Sequence, residues 1–215
     1  MKLFPRKPRF MFKEYTDETI RFDITKQNDT KILGTKIGKY ILDSFKNNHP
    51  IKGVYIFGRI GMGKTVLSTA IINSFENTED LLIDVKHKIQ YRYYDTYPGC
   101  YHLDYYSFLR SDFQWKEKIQ LNDNEMIIAE WSDYLPKRPI SYFEDDKIEI
   151  ELYPCFDKKT ICTQRGVEKL NFTTITADGS MRFATLIGYG NGIDLIKKLK
   201  IDKDLEPIIV DPNEL

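Results

Sequence analysis

The chain has 215 residues, of which 41% are apolar and 30% charged, a composition typical of a globular protein and not of a disordered one. Its 32 Lys and Arg residues balance its 32 Asp and Glu residues, so net charge directs the protein toward neither nucleic acid nor an anionic membrane. No apolar run approaches the roughly 18–20 residues of a membrane span, and prolines and charges interrupt the basic N-terminus, so we expect neither a membrane anchor nor a secretory signal.

The cysteines indicate a reducing environment. Cys100, Cys155 and Cys162 are few, odd in number and outside any CxxC spacing. Disulfide frameworks and zinc sites need characteristic spacings, and no histidine lies near Cys155 or Cys162 to complete a metal site. We therefore expect a cytoplasmic protein without a cysteine-bound metal.

The length predicts one domain with elaborations. Residues 1–22 are predicted to form an N-terminal extension that is extended or loosely packed. Residues 23–202 are predicted to form the folded domain, and residues 203–215 a loose, acidic tail.

The first predicted elements are a helix, a strand and a second helix. Residues 30–45 carry apolar side chains at helical spacing, with Asp29 or Thr30 as the candidate N-cap. Residues 53–57 are predicted to form a buried strand. Residues 65–75 contain neither Gly nor Pro and are predicted to be helical.

Further along the chain, apolar or alternating runs predict more strands and two more helices. Residues 86–94 are interpreted as either a strand or a mobile segment. The other predicted strands are residues 81–85, 100–106, 126–131, 147–153, 170–176 and 181–188, and the predicted helices are residues 108–119 and 192–199.

The segment between the first buried strand and its helix, Gly58 to Thr65, reads GRIGMGKT and fits the phosphate-binding pattern GxxxxGK[ST]. In this pattern glycines let backbone N–H groups point inward, the lysine reaches the β- and γ-phosphates, and the hydroxyl ligates Mg²⁺. The helix N-terminus completes the anion site. The residues expected to bind nucleotide here are Gly58, Gly61, Met62, Gly63, Lys64 and Thr65.

Nucleotide hydrolysis also needs carboxylates, which in open α/β sheets lie at the carboxyl ends of strands beside the loop. Asp104 and Glu130 each end an apolar stretch, where a buried acid is costly unless it has a partner. Mg²⁺ is the predicted partner of both, and a strand-end cap is the alternative role of each.

The aromatic residues have less specific interpretations. His102 is interpreted as a structural histidine bonded to the backbone, and Trp131 as a packing residue and not a platform for a base. A tyrosine cluster could stack on RNA bases, but a tyrosine-rich sheet face is the favoured interpretation. Its members are Tyr91, Tyr93, Tyr94, Tyr97, Tyr101, Tyr105 and Tyr106.

The order of these motifs over about residues 27–200 resembles the TsaE family, the ATPase component of bacterial tRNA threonylcarbamoyladenosine synthesis. No single motif beyond the phosphate loop is specific, whereas their order and spacing together are. The residues that match the family are Thr30, Leu33, Gly34, Ile37 and Gly38 in the first helix, Tyr101, His102, Asp104 and Tyr106 in a Y-H-x-D-x-Y strand, Ile127, Glu130 and Trp131 in I-x-x-E-W, the turn Leu135-Pro136, and Met181-Arg182-Phe183 opening a late strand.

The resemblance implies an α/β protein of the P-loop NTPase-like type, a three-layer sandwich with a mixed sheet. It implies a weak, Mg²⁺-dependent ATPase that works with TsaB and TsaD homologues. In that assembly TsaD modifies adenosine 37 of tRNA, so this chain would contact tRNA only indirectly, through the complex. Lys64, Asp104 and Glu130 would be catalytic, and Thr65, Glu130 and Asp104 would surround Mg²⁺. Thr30 and Arg182 would lie near the nucleotide.

The chain also departs from the family pattern. Arg59 and Met62 replace an acid and an alanine of the loop, at positions where the backbone should tolerate both. The family's Ser-Pro-Thr switch motif is missing, because residues 85–90 read VKHKIQ. Residues 154–180 are expected to form an enlarged hairpin or insertion.

Two alternatives to the tRNA-modification role remain. A small P-loop metabolite kinase usually carries a lid with several arginines, whereas Arg92 and Arg110 are isolated here. An interaction module that binds ATP with little hydrolysis would fit the missing switch motif. A GTPase is not expected, because no NKxD motif occurs.

Overall fold

The computed structural model describes residues 18–58, 61–76, 91–104, 121–130, 145–155 and 181–210. Predictions that fall at residues 81–90, 105–120, 131–144 and 156–180 lie outside these ranges. In chain order the elements are β1 (Thr19–Asp23), α1 (Gln27–Lys46), β2 (Gly53–Gly58), α2 (Lys64–Ile72), β3 (Tyr91–Tyr94), β4 (Gly99–Asp104), β5 (Glu125–Glu130), β6 (Lys147–Cys155), β7 (Met181–Tyr189), α3 (Gly192–Lys200) and a 3₁₀ turn (Glu206–Ile208).

The strands form one mixed seven-stranded sheet in the order β1-β7-β6-β2-β5-β4-β3. The four strands β6, β2, β5 and β4 are mutually parallel, whereas β1, β7 and β3 pair antiparallel to their neighbours. Parallel strands end at the same edge, so the carboxyl ends of β2, β5 and β4 meet where the phosphate loop begins. The predicted α/β class with a mixed sheet and a strand–loop–helix unit is confirmed.

The two faces of the sheet are buried in different clusters. Alternate residues such as Val54, Ile56, Met126 and Ile128 pack with the apolar sides of α1, α2 and α3 in the main core. Their neighbours in sequence, such as Tyr55 and Ile127, belong to a second buried cluster on the opposite face. Because side chains alternate along a strand, this division fixes which acidic residues face α2.

Helix α1 packs closely against α2 through small residues. At Gly38 an added Cβ would lie 2.4 Å from the carbonyl oxygen of Ile71 and 1.9 Å from Ser74 Oγ. Gly34 lies one turn earlier on the same face, and an added Cβ there would lie 2.7 Å from Ala70 Cβ and 2.9 Å from the Leu67 carbonyl oxygen. The two helices therefore hold each other in a fixed position beside the loop.

Replacing Gly38 with alanine is expected to lower the free energy of unfolding by about 1–3 kcal/mol, because the helices must separate to admit the methyl group. Urea denaturation monitored by circular dichroism measures the change. The neighbouring Lys39→Ala is the control, because Lys39 is exposed and its truncation is expected to stay within about 0.5 kcal/mol. Wild-type stability in the Gly38 variant would show that this close contact does not constrain the helices.

Both ends of the described chain are packed, which differs from the predicted loose extension and tail. Strand β1 (Thr19–Asp23) begins inside the predicted extension of residues 1–22, yet it pairs with β7 and its Phe22 is fully buried. Near the other end, Leu205 is fully buried and Val210 N–H donates to the Arg21 carbonyl. Short apolar runs dock on the sheet here, so the folded unit extends past both predicted boundaries.

The observed ends of most other elements lie close to the predicted ends. Helix α1 begins at Gln27 after Lys26, so the predicted N-cap at Asp29 or Thr30 is wrong and both residues lie in its first turn.

Within the described residues, no helix is long and apolar enough to cross a membrane. Tyr93 and Tyr101 pack with ring centroids 4.7 Å apart on the sheet, as the favoured interpretation of the tyrosines predicts.

Candidate functional site

The phosphate loop leaves the sheet at Gly58 and re-enters regular structure at Gly63. Gly58 has φ 144°, and a Cβ there would lie 2.6 Å from the carbonyl oxygen of Leu152 on β6, so only glycine fits. The backbone also turns through positive φ at Gly61 (83°) and Gly63 (95°). Arg59 and the following residue lie outside the described ranges.

The N-terminus of α2 has the features of an anion-binding site. Gly63 precedes it as N-cap, no side chain caps it, and its first turn contains no acidic residue. The first N–H groups of a helix lack partners within the helix and carry the positive end of its dipole. Lys64 adds a buried ammonium group, whose Nζ donates to the Gly58 carbonyl oxygen at 2.9 Å.

Two further residues that the sequence singled out, one in the loop and one beside it, have defined positions. Met62 is 4% exposed and its side chain belongs to the main core, so its place in the loop leaves only its backbone for a ligand. Thr30 lies beside the loop: its Cγ2 is 3.9 Å from the point that a Cβ atom added to Gly63 would occupy. The Thr30 hydroxyl donates to the Ile24 carbonyl oxygen at 3.4 Å.

Three hydrogen bonds converge on the Glu130 carboxylate at the end of β5. Thr65 Oγ1 donates to Glu130 Oε2 at 3.0 Å. Ser68 Oγ, one helical turn later, donates to Glu130 Oε1 at 2.6 Å. His102 Nε2 on the neighbouring strand lies 2.8 Å from the same Oε1.

These contacts keep Glu130 ionised although it is 1% exposed. Burial raises the pKa of the Glu130 carboxyl, whereas the hydrogen bonds from His102 and Ser68 and the nearby Lys64 ammonium lower it, and the net shift is downward. The His102 contact corrects the interpretation from sequence, because its ring bonds a carboxylate and not the backbone. Since a carboxylate only accepts, Nε2 carries the proton in this contact.

Asp104 and Arg182 lie at the same edge of the sheet. Asp104 ends β4 directly beside Glu130 in the parallel ladder, on the strand face that His102 shares. Arg182 lies at the start of β7 opposite Pro154, two residues beyond the Leu152 partner of Gly58. Its backbone N–H bonds Thr25 Oγ1 at 2.9 Å, so the contacts that place Arg182 lead toward the start of α1 and not directly to the loop.

The donor set fits Mg²⁺ bound together with phosphates. Thr65 is exposed, and its hydroxyl oxygen and an ionised Glu130 oxygen lie 3.0 Å apart beside the anion site. Among the described residues, no group of three or more His, Cys, Asp or Glu side chains could cage a metal by itself. Mg²⁺ prefers oxygen ligands and commonly takes only one or two from the protein, with phosphates and water supplying the rest.

The sequence interpretation missed Ser68 as a member of this site and gave His102 a structural role. Two local signals could have found them. Ser68 follows Thr65 by three residues and so lies on the same helix face, and His102 precedes Asp104 by two and so shares its strand face. What neither signal shows is that both side chains meet on one oxygen of Glu130.

A family model and a solved structure are similar to this chain. The family model described as "Threonylcarbamoyl adenosine biosynthesis protein TsaE" matches residues 24–161, more than half of the chain. A crystal structure of Bacillus subtilus YdiB is similar with a TM-score of 0.49 and 13% sequence identity, over 85% of this chain and 94% of that one. No curated protein sequence matches significantly.

Proposed function

This chain belongs to the TsaE family of threonylcarbamoyl adenosine biosynthesis proteins, and from that premise we propose that it is the ATP-binding and ATP-hydrolysing subunit of the assembly that makes N6-threonylcarbamoyladenosine at position 37 of tRNA. The observation that carries the proposal is the convergence of three features at one sheet edge. These are the uncapped N-terminus of α2, the buried Lys64 ammonium, and the Thr65–Glu130 pair.

Each residue of the site has a chemical task in this function. The N–H groups of the loop and of α2 hold the phosphate oxygens, and Lys64 exchanges its bond to the Gly58 carbonyl for one to the β- and γ-phosphates. Thr65 and Glu130 would hold Mg²⁺, with Asp104 beside them as a further metal-shell or water-orienting acid. When bound, Mg²⁺ neutralises charge that develops on the phosphate oxygens.

Substrate positioning extends to both flanks of the loop. Thr30 lies beside Gly63, and Arg182 lies at the same sheet edge, so both are proposed to face the nucleotide. The slow turnover expected of such a subunit suits a role in resetting a larger assembly. The proposed partners are homologues of TsaB and TsaD in the cytoplasm, and no membrane is involved. Contact with tRNA is proposed to be indirect, through these partners.

The partner assignment is tested by a pull-down of the tagged full chain with TsaB and TsaD homologues from the same organism, with and without Mg-ATP. We expect association that responds to ATP, and sustained formation of the modified adenosine on tRNA only when ATP is present. The Lys64→Ala variant is the matched control and should lose the ATP response.

Other outcomes separate the alternatives. Association in neither condition would contradict the partner assignment. A phosphorylated metabolite formed from ATP would favour the kinase. ATP-dependent association with no phosphate release would favour the interaction module.

A further inference from the structure

The two oxygens of Glu130 are treated differently by the protein. Oε1 receives Ser68 Oγ at 2.6 Å and His102 Nε2 at 2.8 Å, whereas Oε2 receives only Thr65 Oγ1 at 3.0 Å among the described residues. We propose that Ser68 and His102 are positioning residues, which saturate Oε1 and so present Oε2 alone to the metal beside Thr65. This inference rests on the proposed ATP-binding function.

The lone pairs of the carboxylate explain the selectivity. Each carboxylate oxygen accepts about two hydrogen bonds through its lone pairs. Two donors therefore occupy Oε1 fully, whereas Oε2 keeps acceptor capacity beyond its bond to Thr65. A metal at this edge would therefore be coordinated by Glu130 through Oε2 alone. Bidentate coordination through both oxygens would have to displace Ser68 or His102 from Oε1.

The pair of hydrogen bonds from Ser68 and His102 to Oε1, called the clamp below, joins Glu130 to two different elements of the fold. Ser68 lies on α2 and is fully buried, and His102 lies on β4 and is 5% exposed. Both bonds are charge-assisted and shielded from water, conditions under which hydrogen bonds are strong and well oriented. The carboxylate therefore points the same way before a ligand arrives, which spares the entropy of ordering it on binding.

The second ring nitrogen of His102, Nδ1, supports the inference that His102 serves to position Glu130. Its Nδ1 is buried and has no hydrogen-bond partner among the described residues. Leaving a buried polar atom unsatisfied costs about 1–3 kcal/mol, and the contact of Nε2 with Glu130 offsets that cost. Only a side chain with a donor at the Nε2 position can replace it.

The Ser68 hydroxyl has a second neighbour, which provides a matched control. Ser68 Oγ also lies 3.2 Å from the Thr65 carbonyl oxygen, but its single proton goes to the nearer, charged Oε1. Ser74 Oγ makes the same kind of bond to the carbonyl oxygen three residues back, at 2.6 Å from Ile71 O. Ser74→Ala therefore removes an equivalent backbone contact far from the carboxylate.

The test uses the full chain with four variants: Ser68→Ala, His102→Asn, His102→Gln and Ser74→Ala. Binding of a fluorescent ATP analogue is measured with EDTA and then across a Mg²⁺ titration. Ser68→Ala and His102→Asn are expected to raise the Mg²⁺ concentration for half-maximal effect roughly 10- to 100-fold. Affinity in EDTA should stay within about threefold of wild type, as should the whole Mg²⁺ response of Ser74→Ala.

The two histidine variants separate positioning from packing. Glutamine places its amide nitrogen where Nε2 was, whereas asparagine places its amide nitrogen where Nδ1 was, so only His102→Gln should retain the wild-type Mg²⁺ response. Equal shifts in both variants would overturn the proposal for His102 in favour of packing. A wild-type response in Ser68→Ala would overturn the clamp, and this small truncation decides that question even if His102→Asn does not fold.

Failure of the proposed function gives a different result. If the wild-type chain binds no nucleotide in EDTA or in Mg²⁺, the ATP-binding assignment and the clamp both fall. If it binds nucleotide without any response to Mg²⁺, the clamp and the metal-holding roles of Thr65 and Glu130 are overturned, whereas the assignment of the loop to nucleotide stands.

Discussion

Lys64→Ala is expected to weaken ATP binding by at least about 30-fold, which corresponds to roughly 2 kcal/mol or more. Lys64 is 4% exposed, and its ammonium lies at the N-terminus of α2 within 2.9 Å of the Gly58 carbonyl oxygen. Removing it withdraws the cation that phosphate oxygens would meet and leaves the α2 dipole alone to bind them. Isothermal titration calorimetry with Mg-ATP measures the loss.

Lys52→Ala is the matched control for this prediction. Lys52 also donates to backbone carbonyl oxygens, those of Asn122 and Asp123, but at the opposite end of β2. Its truncation is expected to leave ATP affinity within about threefold of wild type, because Lys52 lies at the end of β2 away from the loop. Unchanged Mg-ATP affinity in Lys64→Ala would refute the assignment of the loop to nucleotide.

Glu130→Gln is expected to lower the ATPase kcat at least about 100-fold and to remove most of the Mg²⁺ dependence of nucleotide binding. Glutamine is nearly isosteric but neutral, so it cannot balance a divalent cation beside Thr65. It also turns an amide N–H₂ group toward Thr65, Ser68 or His102, each of which donates to the native carboxylate. Phosphate release and a Mg²⁺ titration of nucleotide binding measure the two effects.

Glu125→Gln provides the comparison on the same strand. Glu125 begins β5, five residues and roughly 17 Å from Glu130, and accepts a hydrogen bond from Asn122 N–H. Its variant should keep the wild-type kcat and Mg²⁺ response. A Glu130→Gln chain that still hydrolyses ATP at the wild-type rate would show that this carboxylate holds no metal. Thermal unfolding of both variants identifies any loss that arises from misfolding.

Most strands and helices were predictable because their signals are local. The alternation of Lys147–Cys155 and the apolar run of β2 predicted strands within one or two residues of their observed ends. The start of α1 was misplaced because its first turn, Gln27 to Thr30, contains only polar residues and no apolar periodicity. Strand β1 was missed because a five-residue edge strand is stabilised by its partner β7 and not by its own sequence.

The sequence by itself determined the loop and its chemistry, because the eight residues from Gly58 to Thr65 are consecutive and their backbone, charge and hydroxyl act together wherever the segment folds. Tertiary structure alone decided how Glu130 is held. Glu130 is 62 residues from Ser68 and 28 from His102 along the chain, and they meet because β5 inserts between β2 and β4 in the sheet. That strand order results from burying both sheet faces at once, a property of the whole chain that no local pattern encodes.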